Sequence, residues 1–274
     1  MGWLTVDEAS CRQDGICVAE CPRRIIAMEQ GGFPLVATER ERFCMHCGHC
    51  VAVCPHGAVS VAEFPREACP VIDDTPGLGW EPVVQFLRSR RSIRVYGERE
   101  VERPTLQKLI ETARYAPTAS NSQTVHWTVV SGREKLTQLS ELTIDWMRGV
   151  VAAQPATAAA ASMFRPLVTA WDGGTDPILR NAPILVVASA PKEASNGLVD
   201  CTIALTTLEL AALPLSLGTC WAGLLQAALL NAAGAREAVG LPTGHTAHYP
   251  MMVGYPKFAY HRLPERQEPS ITWK

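Results

Sequence analysis

A strong charge of either sign is the first thing missing. The chain has 274 residues, with 25 Lys and Arg against 27 Asp and Glu and a formal net charge of −2. That balance argues against a nucleic-acid surface and against a polybasic membrane anchor. No Gly-x-Gly-x-x-Gly follows a strand-like run, so the usual dinucleotide-binding fingerprint is lacking. No signal-peptide pattern is found either, and the expected compartment is the cytoplasm. Charged residues make up only 19% and hydrophobic ones 47%, the composition of a globular chain rather than a disordered one. Residues 210–235 carry no formal charge, which is length enough to span a bilayer. Pro214, Ser216, Gly218, Thr219, Gly223, Gln226 and Asn231 interrupt that stretch, so it is expected to be a buried helix, a loop near Gly218 and a second helix, with no membrane span.

Cysteine, by contrast, is plentiful. Seven of the ten lie between Cys11 and Cys54. Cys44, Cys47, Cys50 and Cys54-Pro55 form C-x2-C-x2-C-x3-C-P, the spacing that holds a cubane iron–sulfur cluster. An incomplete copy precedes it: Cys11, Cys17 and Cys21-Pro22, with Asp14 where the second cysteine would stand. Soft thiolates in such tight spacing suit metal ligation better than an extracellular disulfide scaffold. A four-cysteine zinc site is the competing metal reading, but two pseudo-repeats each closed by Cys-Pro favour iron and sulfide. Residues 25–36, between the runs, read as strand, turn and strand, and the runs themselves as loops leading into short helices.

This part resembles the bacterial two-cluster ferredoxins over about 55 residues. In that arrangement the fourth cysteine of each run serves the other cluster. The resemblance implies one cluster on Cys44, Cys47, Cys50 and Cys21, and another on Cys11, Cys17, Cys54 and the Asp14 corner. Asp14 either ligates iron through its carboxylate or leaves that corner open as a three-iron cluster; an ordinary loop aspartate is the third reading. His46 and His49 read as solvent-facing loop residues.

Residues 1–64 are expected to form this first domain, 65–80 a Pro- and Gly-rich linker, and 81–274 a second domain of mixed helix and sheet. Helices are expected over 81–90, 102–115 (opened by Pro104) and 199–217, and strands over 125–130, 184–188 and 251–256. The Ala-rich residues 151–163 are expected to be helical, followed by an irregular mobile lid over 170–177. Arg90, Arg91, Ser92 and Arg94 gather three guanidiniums and a hydroxyl, donors that suit a phosphate dianion. Later come the polar turn 116–123, the segment 217–223 after a long apolar helix, and 254–256 with Arg262 and Arg266.

In this order and spacing these elements resemble the nitroreductase family of FMN-binding homodimers. The resemblance implies an α+β fold: a small ferredoxin-like domain followed by a three-layer α/β/α domain. It implies that Arg90, Arg91, Ser92 and Arg94 hold the FMN phosphate and ribityl chain, with Arg266 returning to the phosphate. Pro117, Thr118, Ala119, Ser120, Asn121 and Gln123 would line the flavin, partly from the partner subunit. Trp221, Ala222 and Gly223 would face its reactive edge. Thr118 departs from the usual serine, His126-Trp127 is shifted from the family's Pro-Trp, and Ala222 carries no carboxylate. His245 and His248 make an incidental pair rather than a metal site, and no side chain is assigned as acid or base.

Joined, the halves read as an FMN-dependent oxidoreductase, fed singly through two iron–sulfur clusters, that reduces a nitroaromatic, quinone or activated alkene. The expected donor is a ferredoxin or another electron-donor protein, although relatives use nicotinamide without the glycine fingerprint. The alternative is an electron-transfer adaptor or a redox-sensing flavoprotein acting on a partner protein.

Overall fold

The computed structural model describes residues 3–73 and 77–274. It falls into two units, residues 1–77 with 120–122 and residues 78–119 with 123–274. Part of the expected linker, residues 74–76, lies outside the described residues.

The first unit contains β1 (Leu4–Val6), α1 (Ile16–Glu20), β2 (Ile26–Ala27), β3 (Leu35–Val36), α2 (Thr38–Glu41), α3 (His49–Ala52) and β4 (Val59–Val61). β1 pairs antiparallel with β4, and β2 with β3 as the expected strand–turn–strand. The duplication read in the cysteine runs extends to the backbone. Gln13 and His46 both have positive φ, as do Gly15 and Gly48, and Arg24 and Gly57, each pair thirty-three residues apart. Gly15 (φ 73) and Gly48 (φ 70) each turn the chain into a short helix from the left-handed region, which glycine adopts without a Cβ penalty. The buried core is small: Cys17, Val51, Val59 and Val61 cluster together, flanked by Trp3, Leu4, Phe64 and others, and Ile25, Ile26 and Ala58 are buried as well.

The second unit opens with α4 (Trp80–Ser89) and α5 (Arg103–Ala113). After β5 (His126–Ser131) come α6 (Arg133–Ala153), α7 (Ala159–Asp172), β6 (Ile184–Pro191) and α8 (Gly197–Ala212). The chain closes with β7 (Gly218–Trp221), α9 (Gly223–Asn231), α10 (Ala233–Val239) and β8 (His245–Gly254). The sheet is antiparallel in the order β5-β6-β8-β7. It is sandwiched, and period-two alternation sorts the residues of β6. Ile184, Val186, Ala188 and Ala190 pack with α5 and α8. Leu185 and Val187 face the core built on α6, α7, α9 and α10. A strand buried on both faces is mostly apolar, which is why residues 184–188 read as a continuous hydrophobic run, while the buried Ser189 pairs with His245. The three layers are those the resemblance implied.

Three expectations change. The Ala-rich stretch is not one helix: α6 ends at Ala153 and α7 starts at Ala159. Pro155 forces Gln154 into extended backbone (φ −118, ψ 150), the conformation favoured before proline. The expected lid is tied down at its end. The Asp176 carboxylate accepts the N–H groups of Ile178, Leu179 and Asn181 at 2.9, 3.1 and 3.1 Å, and Ile178 and Leu179 are buried. Between the two apolar helices of 197–231 lies a strand, β7, rather than only a loop. Among the described residues one helical stretch, Gly197–Leu215, is long and apolar enough to cross a membrane by composition, with a mean hydropathy of 1.6. It is the core helix of the domain, packed on α5, β6 and β8, and it buries two carboxylates, Asp200 and Glu209.

His248 on β8 packs against the start of α8, where a Cβ on Gly197 would lie 2.6 Å from its Nε2. Burial holds the His248 pKa below the usual 6.5. The folded state therefore prefers neutral imidazole, and the unfolded chain binds more protons once the pH falls below that value. Stability from this contact is complete above about pH 6.5 and is lost in acid. Thermal unfolding is expected a few degrees lower at about pH 5.5 than at about pH 7.5, and His248→Gln should flatten that slope. A variant with an unchanged slope would assign the acid sensitivity elsewhere.

Candidate redox site

The eight ligand candidates sort into two groups. Cys21, Cys44, Cys47 and Cys50 line one cavity. Cys11, Asp14, Cys17 and Cys54 line another. No cysteine is in a disulfide. Among the described residues no three His, Cys, Asp or Glu side chains converge tightly enough to hold one metal ion; the sulfurs surround a volume instead. Backbone N–H groups already point at sulfur, from His46 to Cys44 Sγ and from Ala58 to Cys54 Sγ, both at 3.3 Å. Burial pushes the Cys50 thiol up to about 11 and raises Cys17 and Cys44 as well. A thiolate there at neutral pH therefore needs positive charge in the cavity.

The Asp14 corner differs from its counterpart at Cys47. Asp14 Oδ1 accepts the Ile16 N–H at 3.1 Å, and Oδ2 lies 3.6 Å from His56 Nε2. His56 lines the same cavity, and nothing in the cysteine spacing pointed to it. At the intact site His46 is half exposed and paired with Glu63 at 3.0 Å, and Glu63 also accepts Trp3 Nε1–H at 2.7 Å. His49 is exposed, as expected, but it opens α3 rather than lying in a loop.

In the second unit, residues 90–94 run beside β7. Ser92 bridges Thr219 in parallel, and the Ile93 N–H donates to the Thr219 carbonyl at 2.8 Å. Extended backbone alternates its side chains, so the basic motif is split between two faces. Arg91 and Ile93 line an open groove with Thr219, Pro256, Lys257 and Tyr260. Arg90, Ser92 and Arg94 lie on the other face. There burial raises the Cys220 thiol, with Arg94 and a hydrogen bond to Ser92 acting against it. Arg90 pairs with Glu209 at 3.2 Å. The tail returns beside the motif through an Arg88–Glu265 ion pair at 3.1 Å, next to the exposed Arg266.

The polar turn is held from α8. Asp200, buried, accepts the Ala119 N–H at 3.0 Å, and Thr118 Oγ1 accepts the Gln123 N–H at 3.0 Å. Ser120, Asn121 and Gln123 have φ near 50°. Residues 120–122 belong to the first unit, where the Asn121 amide donates to the Met45 and His46 carbonyls at 3.2 and 2.8 Å. Pro117 precedes this turn and carries no hydrogen-bond donor of its own. At the end of β7 the Trp221 ring meets Tyr249 edge-on at 5.0 Å. The Ala222 N–H donates to Pro250 O at 2.9 Å, and Gly223 opens α9. His126 and His245 meet edge-on at 5.6 Å, and Ser189 Oγ lies 3.2 Å from His245 Nδ1.

Sequence reasoning missed Asp200, Glu209, Tyr249 and His56. The first two had a signal: a lone carboxylate inside an apolar helix is almost never buried without a partner.

A three-layer domain with a basic segment along its sheet edge, together with a cysteine module that encloses two cavities, defines an iron–sulfur oxidoreductase architecture. Residues 87–255 match the nitroreductase family, more than half of the chain, and residues 9–59 match the 4Fe-4S dicluster domain. The chain belongs to the nitroreductase family and carries a 4Fe-4S dicluster domain ahead of that fold. A relative from Archaeoglobus fulgidus, provisionally named NADH dehydrogenase/NAD(P)H nitroreductase, is 29% identical over 182 residues, which is 65% of this chain and 87% of the relative. One of the same name from Methanothermobacter thermautotrophicus is 27% identical over 145 residues, 52% of this chain and 60% of the relative. Among solved structures, a Bacteroides fragilis nitroreductase with bound FMN superposes with a TM-score of 0.58 at 24% identity, covering 69% of this chain and 97% of that one. A Desulfitobacterium hafniense nitroreductase with bound FMN gives 0.56 at 22% identity, covering 69% and 96%.

Proposed function

We propose that this protein is an FMN-dependent oxidoreductase whose N-terminal unit receives electrons one at a time through two iron–sulfur clusters and whose second unit reduces a small organic acceptor. The observation that carries this reading is the sorting of the eight ligand residues into two cavities with no disulfide between them. Cys21, Cys44, Cys47 and Cys50 would hold one cluster, and Cys11, Cys17, Cys54 and Asp14 the other. The second unit fits FMN in its donor set. Arg90, Ser92 and Arg94 offer guanidinium and hydroxyl donors along one face of an extended segment, as a phosphate and its ribityl chain require. Bound FMN supplies the step from single electrons to an electron pair. The two FMN-holding structures of the same fold support that assignment.

The chain's own residues bind, orient and exclude water. Asp200 and Thr118 hold the polar turn of Pro117–Gln123 in shape. Tyr249 and Pro250 hold Trp221 and Ala222 at the mouth of α9. Nitroaromatics, quinones and activated alkenes are the proposed acceptors, and a low-potential donor protein the proposed source of electrons. A homodimer, in the cytoplasm, is the proposed assembly. Leu198 and Val199 on α8 are 57% and 54% exposed, and Phe258, Tyr260 and Trp273 of the tail are also bare.

Anaerobic reduction of the purified protein by a one-electron donor should bleach the flavin within one turnover, and adding a quinone should restore its colour. Clusters that reduce while the flavin stays oxidised would refute this route. Iron counting tests the Asp14 corner: after mild oxidation the wild type should retain about seven irons per chain, whereas Asp14→Cys should keep about eight, the content of two complete cubanes. Equal counts for the two proteins would mean that the carboxylate holds its iron as firmly as a thiolate does.

A further inference from the structure

Glu209 sits in the last turn of α8, in an otherwise apolar stretch, with its side chain only 6% exposed. A carboxylate there is tolerated only when its oxygens are paired. Oε1 accepts from Arg90 Nη1 at 3.2 Å and from Thr219 Oγ1 at 3.1 Å, and Oε2 accepts from Trp221 Nε1 at 3.3 Å. The donors come from the two segments that flank the proposed flavin, 90–94 and β7, which join through Ser92 and Thr219. Glu209 thus lies beneath that join and ties a residue of the basic motif to a residue of the 221–223 turn.

We propose that Glu209 is a positioning residue that holds Arg90 and Trp221 in one network and offsets the Arg90 charge beside the cofactor. The inference rests on the FMN reading. Charge accounts for the direction of its effects. An unpaired guanidinium near the flavin favours the form carrying extra electrons, so the buried carboxylate keeps the bound flavin a stronger reductant. It also fixes the Arg90 rotamer, so less freedom is lost when the cofactor docks.

The test uses the full-length protein. Glu209→Gln keeps the shape, removes the charge and turns an amide N–H₂ toward one of the three donors. FMN affinity, measured by fluorescence quenching on the apo-protein, should weaken about tenfold. The flavin midpoint potential should move to a more positive value, and Glu209→Asp should recover part of both effects. Arg90→Gln alone should move the potential the other way, to a more negative value, and the Arg90→Gln/Glu209→Gln pair, which removes both opposed charges, should return it toward the wild-type value. A merely structural role would not give opposite shifts that cancel in the pair. A folded Glu209→Gln protein with wild-type affinity and potential overturns the proposal, as do shifts of the same sign in the two single variants. Should the Glu209→Gln variant fail to fold, the Arg90→Gln/Glu209→Gln pair is compared with Arg90→Gln: a more positive potential in the pair supports the proposal and an equal one overturns it. Failure of the wild type to retain FMN at all would sink the flavin reading itself, a separate result.

Discussion

Replacing Gly218 by alanine is expected to cost about 3 kcal/mol of stability and to empty the flavin site, the upper range for overpacking a filled core. A Cβ at that position would lie 2.3 Å from Ile93 Cγ1, 2.8 Å from Ile93 Cβ and 2.9 Å from Pro256 Cγ. Neither neighbour can yield cheaply. Ile93 is buried, and its N–H is bonded to Thr219 O at 2.8 Å, so relief means pushing the 90–94 segment off β7. That movement carries Arg90, Ser92 and Arg94 with it. Thermal melting should fall by about 6–12 °C, at roughly 2–4 °C per kcal/mol for a domain of this size. Flavin should be absent from the purified protein. Ile93→Ala introduced together with Gly218→Ala should return part of the lost stability by making room. Gly234→Ala is the matched control, because its Cβ would meet only Leu142 at 3.6 Å, and a change within about 1 kcal/mol is expected. If both glycine variants melt alike, the close approach of Ile93 is not what demands glycine at 218.

The second large effect concerns Cys50. Cys50→Ala should drop the iron content from about eight per anaerobically purified chain to near none, because the N-terminal unit unfolds while the second unit stays folded. The argument is one of size. Among the described residues seven hydrophobic side chains of the first unit are buried, Cys17, Ile25, Ile26, Val51, Ala58, Val59 and Val61, and one of these is itself a ligand candidate, Cys17. Cores this small seldom suffice without a metal or a crosslink. The second unit has two cores of its own around its sheet and needs no iron. Limited proteolysis should therefore release fragments from residues 1–77 and leave a resistant piece of the nitroreductase domain that still binds flavin. Iron content at the wild-type level, or protease resistance of the N-terminal unit, would contradict this account.

Much of the site could be read from spacing alone. Ligands of a cubane cluster lie close in sequence because one loop wraps one cluster, so Cys44, Cys47 and Cys50, with Asp14 as the odd member of the copy, stood out as candidates before any fold was known. The helices α4 and α5 and the strands β5 and β6 were legible as well, because apolar periodicity and Pro104 act over a few residues. What failed was of two kinds. The Ala-rich stretch looked like one helix because alanine propensity is additive, while the break at Pro155 acts on the single residue before it. β7 was hidden inside a continuous apolar run because a strand buried in a sheet and a helix buried beneath it draw on the same residues.

The sequence by itself determined the family and the spacing of the candidate ligands: that Cys44, Cys47, Cys50 and Cys54 repeat an earlier run, that Asp14 stands where that run lacks a cysteine, and that a basic motif follows. Those features are local, and local spacing encodes them. Only the tertiary structure decided that Arg91 parts from Arg90, Ser92 and Arg94, that Asp200 and Glu209 reach up from α8 to the turn and the motif, and that His56 stands beside Asp14. Each of these depends on which face of an extended or helical segment a side chain occupies and on what is packed against it. That information exists only once residues far apart in sequence, such as Arg90, Glu209 and Trp221, are brought within hydrogen-bonding distance.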